Sequence, residues 1–105
     1  MKNVKWPKSI LIAGHRYKVL LSDTLIATDH LSGQADYGKH TITIDRQAPD
    51  KTVTLLHEII HCVDRHYIEQ RMEHPIIEPL SEGLYQALKS AGVDFDWRED
   101  ARKVH

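Results

Sequence analysis

Two histidines four residues apart, with a glutamate directly after the first, stand in "TLLHEIIHCVD", Thr54–Asp64. On a helix of 3.6 residues per turn, His57 and His61 lie about 40° apart, one turn above the other. Both rings can then reach one ion, with nitrogens at the ~2.0–2.1 Å usual for zinc. Glu58 falls about 60° round from His61. That is too far to share the ion easily and close enough to contact a water bound to it. The spacing therefore builds two metal ligands and one general base on a single helical turn. Aliphatic neighbours (Leu55, Leu56, Ile59, Ile60, Val63) anchor that turn in a core and hold the ligands rigidly. Burying unpaired His and Glu among them is costly, and a metal with its water removes the cost.

Two histidines are not a full shell, because a catalytic zinc takes three protein ligands and keeps one position open. The downstream candidates are Asp64, His66, His74, Glu78 and Glu82. Asp64 shares the face of His57 two turns on. It suits orienting a ligand ring, or is an ordinary exposed helix acid. His66 falls on another face, and the chain lacks the glycine that returns HExxHxxGxxH enzymes to a third histidine. His74 stands before Pro75 in what reads as a loop. Glu78 and Glu82, four apart, share one face of a second helix. Glu78 is expected to bring a carboxylate oxygen to the ion, and Glu82 to hydrogen-bond a ligand histidine. The alternative is that both face solvent, favoured by the helix dipole.

The elements that must position these residues divide the chain in two. "SILIA" (Ser9–Ala13) and "RYKVLLS" (Arg16–Ser22) flank "GH" and read as a hairpin. "TLIATDHLSG" is ambiguous, with turn chemistry in its tail. "QADY" and "HTITID" around "GK" read as a second hairpin, since Ile42 and Ile44 alternate with threonines. Asp50 can cap a helix running from Lys51 to about Gln70. A second helix is expected from Pro79 to near Gly92, with Leu80, Leu84, Ala87, Leu88 and Ala91 as its apolar stripe. The fold expected is α+β: a small antiparallel or mixed sheet of hairpins packed on the HExxH helix and a C-terminal helix. Val93, Phe95 and Trp97 can pack before the tail frays.

The 105 residues make one domain, 1–105. With 14 basic and 15 acidic residues and no block of either sign, nothing points to nucleic acid or an anionic membrane. No apolar run approaches the ~18–20 residues of a membrane span. The opening "MKNVKWPKS" has no signal-peptide core. Cys62 is the single cysteine, so a reducing cytoplasm is the expected setting. Among eight histidines, His105 is open to being a tag remnant.

"TLLHEIIHCVD" followed by "EPLSEGLYQAL", with "GQADYGKHTITID" before them, resembles the small zinc metallopeptidases of phages and mobile elements, the ImmA/IrrE-like minimal gluzincins. The resemblance covers about residues 33–91. It implies one zinc per chain held by His57, His61 and Glu78, with Glu58 as catalytic base. The position of Glu82 more often carries a small polar side chain in that family. The implied reaction is peptide hydrolysis by a zinc-bound water that Glu58 activates. The implied partner is a protein or peptide such as a regulator, bound along the exposed sheet edge, for which "QADY" is the expected strand. Tyr85, in phase with Glu78, either stabilises the oxyanion or simply packs. A non-catalytic zinc-stabilised binding module is the alternative, and Glu58 speaks against it, since a structural site needs no acid there. A formyl-removing hydrolase would recruit an upstream cysteine, whereas Cys62 projects about 100° away from His61.

Overall fold

Alternation of small turn residues with β-branched ones sets the first half of the chain. The computed structural model describes residues 2–99, with side chains from Val4 onward; the end of the tail expected to fray and the question of His105 lie outside the described residues. The elements are β1 (Lys2–Lys5), β2 (Ser9–Ile12), β3 (His15–Ser22), β4 (Gly33–Asp36), β5 (Thr41–Asp45), α1 (Lys51–Val63), α2 (His74–Ser90) and β6 (Val93–Asp96). Two π-helical turns, Leu25–Asp29 and Asp64–Ile68, join them. This is an α+β domain with a mixed four-stranded sheet, a parallel two-stranded one and two main helices.

Both expected hairpins form. In the first, Ile12 pairs with His15, so the turn is Ala13–Gly14, one residue earlier than the "GH" reading. Both turn residues have positive φ, 51° and 80°, the backbone that a right-twisted two-residue hairpin requires. In the second, the Asp36 carboxylate accepts the Gly38 and Lys39 amides at 3.0 and 2.9 Å and so shapes the tight reversal. β5 then lies parallel to β3, giving the order β2-β3-β5-β4 with β4 at an edge. Tyr17, Val19, Ile42 and Ile44 point inward and meet Leu55 and Cys62 of α1. A second, two-stranded sheet pairs β1 with β6 in parallel.

The helices differ from the expectation at the ends that matter most. Asp50 does cap α1, accepting the Val53 amide at 3.3 Å. The α-helix ends at Val63, not near Gln70, and gives way to the π-helical turn. Glu69 and Gln70 follow, both at φ 59°, which no helix can propagate. α2 starts at His74, five residues before Pro79. Pro75 sits in the first turn, where its missing N–H is one that no carbonyl would accept anyway. Pro79 is then inside the helix, at the loss of one backbone hydrogen bond. Gly92, at φ 93°, ends α2 as expected.

The apolar stripe of α2 is not its buried face. Ile77 and Ser81 are buried against the body, whereas Leu80 and Leu84 are 40% and 43% exposed. Ile77 and Leu80 differ by about 60° in helical phase. The rotation that buries Ile77 and Ser81 also turns His74 and Glu78 toward α1. Among the described residues, no helix is long and apolar enough to cross a membrane.

The C-terminal strand is tied to the start of α1 by Trp97. Its indole N–H donates to Thr52 Oγ1 at 2.8 Å, and its ring stacks on Trp6 with centroids 5.6 Å apart. Trp97→Ala is expected to cost about 2–4 kcal/mol, seen as a lower denaturant midpoint at unchanged slope. Trp97→Phe, which keeps a ring but loses the donor, should fall between. An unchanged midpoint for the alanine variant would mean that this strand pair lies outside the cooperative core.

Candidate metal centre

α1 delivers its pair as the helical spacing requires. His57 Nε2 and His61 Nε2 are 3.1 Å apart. Two ligands at ~2.0–2.1 Å on one tetrahedral ion have their atoms about 3.3 Å apart, so the pair already has the span of a shared metal. The third imidazole is His74, whose ring centroid is 5.5 Å from that of His57 and 5.3 Å from that of His61. One nitrogen from each of the three lies within 4.8 Å of the others. Burial, followed by the neighbouring histidines, pushes the His57 and His61 pKa values down. Both rings are therefore held neutral, the form a metal binds. Donor chemistry, spacing and protonation all fit zinc.

The other sequence candidates separate cleanly. Glu78 lines the same cleft as the three histidines, and its charge acts on His57. Glu82 is exposed and Tyr85 lies under Lys89, and neither lines the cleft. Asp64 is buried, accepts the Met72 amide at 3.1 Å and acts by its charge on His61. His66 joins a different group: its ring lies tilted against that of His15, and its Nε2 shares a 2.6 Å hydrogen bond with the Tyr17 hydroxyl. Cys62 is fully buried, and burial pushes its thiol up to about 11, away from any ligand role.

Glu58 is the chemically exposed point of the design. Its side chain is only 8% accessible, and burial pushes its carboxyl up to about 7. It lies at the floor of a cleft of about 460 Å³ that also takes in the three histidines, Glu78 and Tyr37. Strand β4 forms one wall and passes so close that a Cβ on Gly33 would stand 2.7 Å from Thr54 Cγ2 and 3.3 Å from Glu58 Cγ. Gly33 is what lets the sheet edge and the acid meet. Tyr37, at the same wall, has its phenol pKa raised by burial, then by Cys62 and Glu58, and so remains a hydrogen-bond donor at neutral pH.

Sequence reasoning set His74 aside and passed over Gly33 and Tyr37. A signal for His74 existed: Pro75 suits a first helical turn as well as Pro79 does. A helix read from there places His74 and Glu78 one turn apart, as His57 and His61 are. Gly33 inside a strand pattern is itself a mark of close backbone approach. Tyr37 carried no signal beyond its place at the end of that strand.

No protein-family model, curated protein or solved structure matches this chain.

Two outcomes follow from the packing around Glu58. Its carboxyl is ordinary in the unfolded chain, near 4.5, and raised to about 7 in the fold. Below pH 4.5 it is protonated in both states, so it imposes no ionisation penalty; as pH rises toward 7 the unfolded chain is favoured. The metal-free protein should therefore lose about 3 kcal/mol across that window. Metal-free Glu58→Gln should lack this loss, and the gap should close at acid pH. Parallel stability curves for the two would contradict it. Separately, Gly33→Ala should cost about 1–3 kcal/mol through overpacking, read as a lower denaturant midpoint. Adding Thr54→Ser, which removes the clashing methyl, should restore part of it; an unchanged midpoint for Gly33→Ala alone would contradict the close approach.

Proposed function

We propose that this chain is a zinc metallopeptidase, a minimal zincin-like hydrolase acting on one specific protein such as a regulator. The observation that carries it is the convergence of metal donors from two helices on one cleft beside a buried carboxyl. His57 and His61 hold the ion from α1, and Glu78 holds it from α2 as the resemblance implies, with His74 at hand. A bound zinc ion would polarise a carbonyl and acidify water in contact with it. Glu58 takes the proton from the attacking water and passes it to the leaving nitrogen. Its raised pKa suits a group that must both accept and release a proton near neutrality. Tyr37, which lines the cleft where Tyr85 does not, donates a hydrogen bond to the carbonyl oxygen as charge builds there. β4, an edge strand on the cleft wall, offers free backbone groups to an extended peptide. A cytoplasmic, phage-type regulatory peptidase is the setting this reading favours.

A zinc-stabilised binding module is the second reading, favoured by the number of donors gathered in one place. Glu58 separates the two, because only an enzyme uses it.

The purified chain should carry about one zinc after reconstitution. Offered a complex peptide mixture and read by mass spectrometry, the zinc-loaded protein should generate new termini. Glu58→Gln should keep its zinc and lose at least ~10²–10⁴-fold of that activity, the usual worth of a general base. Equal cleavage by the two proteins would remove Glu58 from the reaction, and none by either across protein substrates would favour the binding module. Absence of stoichiometric metal would defeat both.

A further inference from the structure

The two helices present matching pairs. α1 offers His57 and His61, and α2, because it begins at His74 and not at Pro79, offers His74 and Glu78. Each pair is spaced by four residues, one turn on one face. All four side chains line one cleft, three of them with nitrogens within 4.8 Å of one another and the fourth with its charge acting on His57. Four donors are one more than a working hydrolytic zinc site uses, since a closed tetrahedron leaves no position for water. A closed shell would leave Glu58 with nothing to act on. One of the four must be able to leave.

The fold marks which one. His57 and His61 are half-buried in the middle of a core helix. Glu78 is a full turn inside α2. His74 is the first residue of α2 and is exposed, and the residue before it, Glu73, makes no side-chain capping bond. The chain leading to it runs through the left-handed pair Glu69 and Gln70. Moving His74 therefore disturbs only a helix end, whereas His57 and His61 are held in packed structure and Glu78, exposed like His74, is fixed by helix on both sides.

We propose that His74 is a fourth, exchangeable protein ligand that closes the resting metal centre together with His57, His61 and Glu78. Hydrolysis then requires the bond from the His74 imidazole to the ion to break, its ring swinging out with the first turn of α2, and water to take the vacated position. No bond in the chain is made or lost, and no oxidant or reductant is needed. The centre is thereby latched until a substrate on the cleft wall displaces the start of α2, which suits an enzyme that cuts one protein and spares others. This inference rests on the zinc reading above.

The test uses the full-length chain loaded with cobalt(II), whose visible absorption reports coordination number, titrated with azide, which binds only where a position is open. Wild type should bind one cobalt with a four-coordinate spectrum and not respond to azide. His74→Ala should still bind one cobalt, and azide should now shift its spectrum. Glu78→Ala should also retain cobalt through the three histidines. A wild-type spectrum that shifts with azide overturns the latch. So does His74→Ala with wild-type spectrum and wild-type indifference to azide, which makes His74 no ligand. Loss of all metal from His74→Ala, with its far-ultraviolet circular dichroism intact, makes His74 an obligatory third ligand and overturns the latch too. These failures leave the zinc reading standing, whereas a wild-type chain that binds no metal removes both.

Discussion

One hydrogen bond lets the two helices share a site. The Asp64 carboxylate, buried at the end of α1, accepts the Met72 amide at 3.1 Å. The Asp64 carbonyl accepts the Gln70 amide at 3.0 Å in the same reversal. Together they fold the segment after α1 back on itself, so that α2 starts against the turn of α1 that carries the histidines. A carboxylate accepting a backbone amide in a buried place is a strong interaction and a costly one to break. The same carboxylate acts by its charge on His61, so it connects the returning chain to a ring of the histidine cluster. The His15, His40, Tyr17 and His66 contacts brace the π-helical turn from the sheet side.

Around that reversal the structure tolerates a local cost for the sake of the cleft. A buried acid without an ionic partner is unfavourable, and burial raises the pKa of Glu58 for that reason. A chain selected for stability alone would place leucine there. The absence of a side chain at Gly33 goes the same way: a larger residue would fill the space between β4 and α1 but push the edge strand off the acid. Such local inconsistencies concentrate where chemistry is intended. Here they meet three histidines in one cleft.

The sequence was most informative where side-chain periodicity and local turn chemistry decide structure. The Thr41–Asp45 alternation and the Asp50 cap read correctly, and the four-residue spacing does bring the His57 and His61 rings together, because each depends on neighbours within one turn or strand. It was least informative where long-range packing decides. Nothing local announces that α1 becomes a π-helical turn at Asp64, since its closing bonds come from Gln70 and Met72. Two prolines competed for the start of α2, and the tertiary contact of His74 with α1 chose the earlier. Leu80 and Leu84 read as a core stripe, yet the body of the protein takes Ile77 and Ser81 instead. The price of misplacing one helix start was the third imidazole of the site.

Zinc-edge X-ray absorption on the reconstituted chain probes the proposed ion between α1 and α2, ligated through imidazole nitrogens. The expected first shell is nitrogen and oxygen at ~2.0–2.2 Å, with the multiple-scattering pattern of three imidazoles and no sulfur. A sulfur neighbour at ~2.3 Å would bring Cys62 into the shell, and a shell without imidazole scattering would remove His57 and His61 from it; either result rules the proposed centre out.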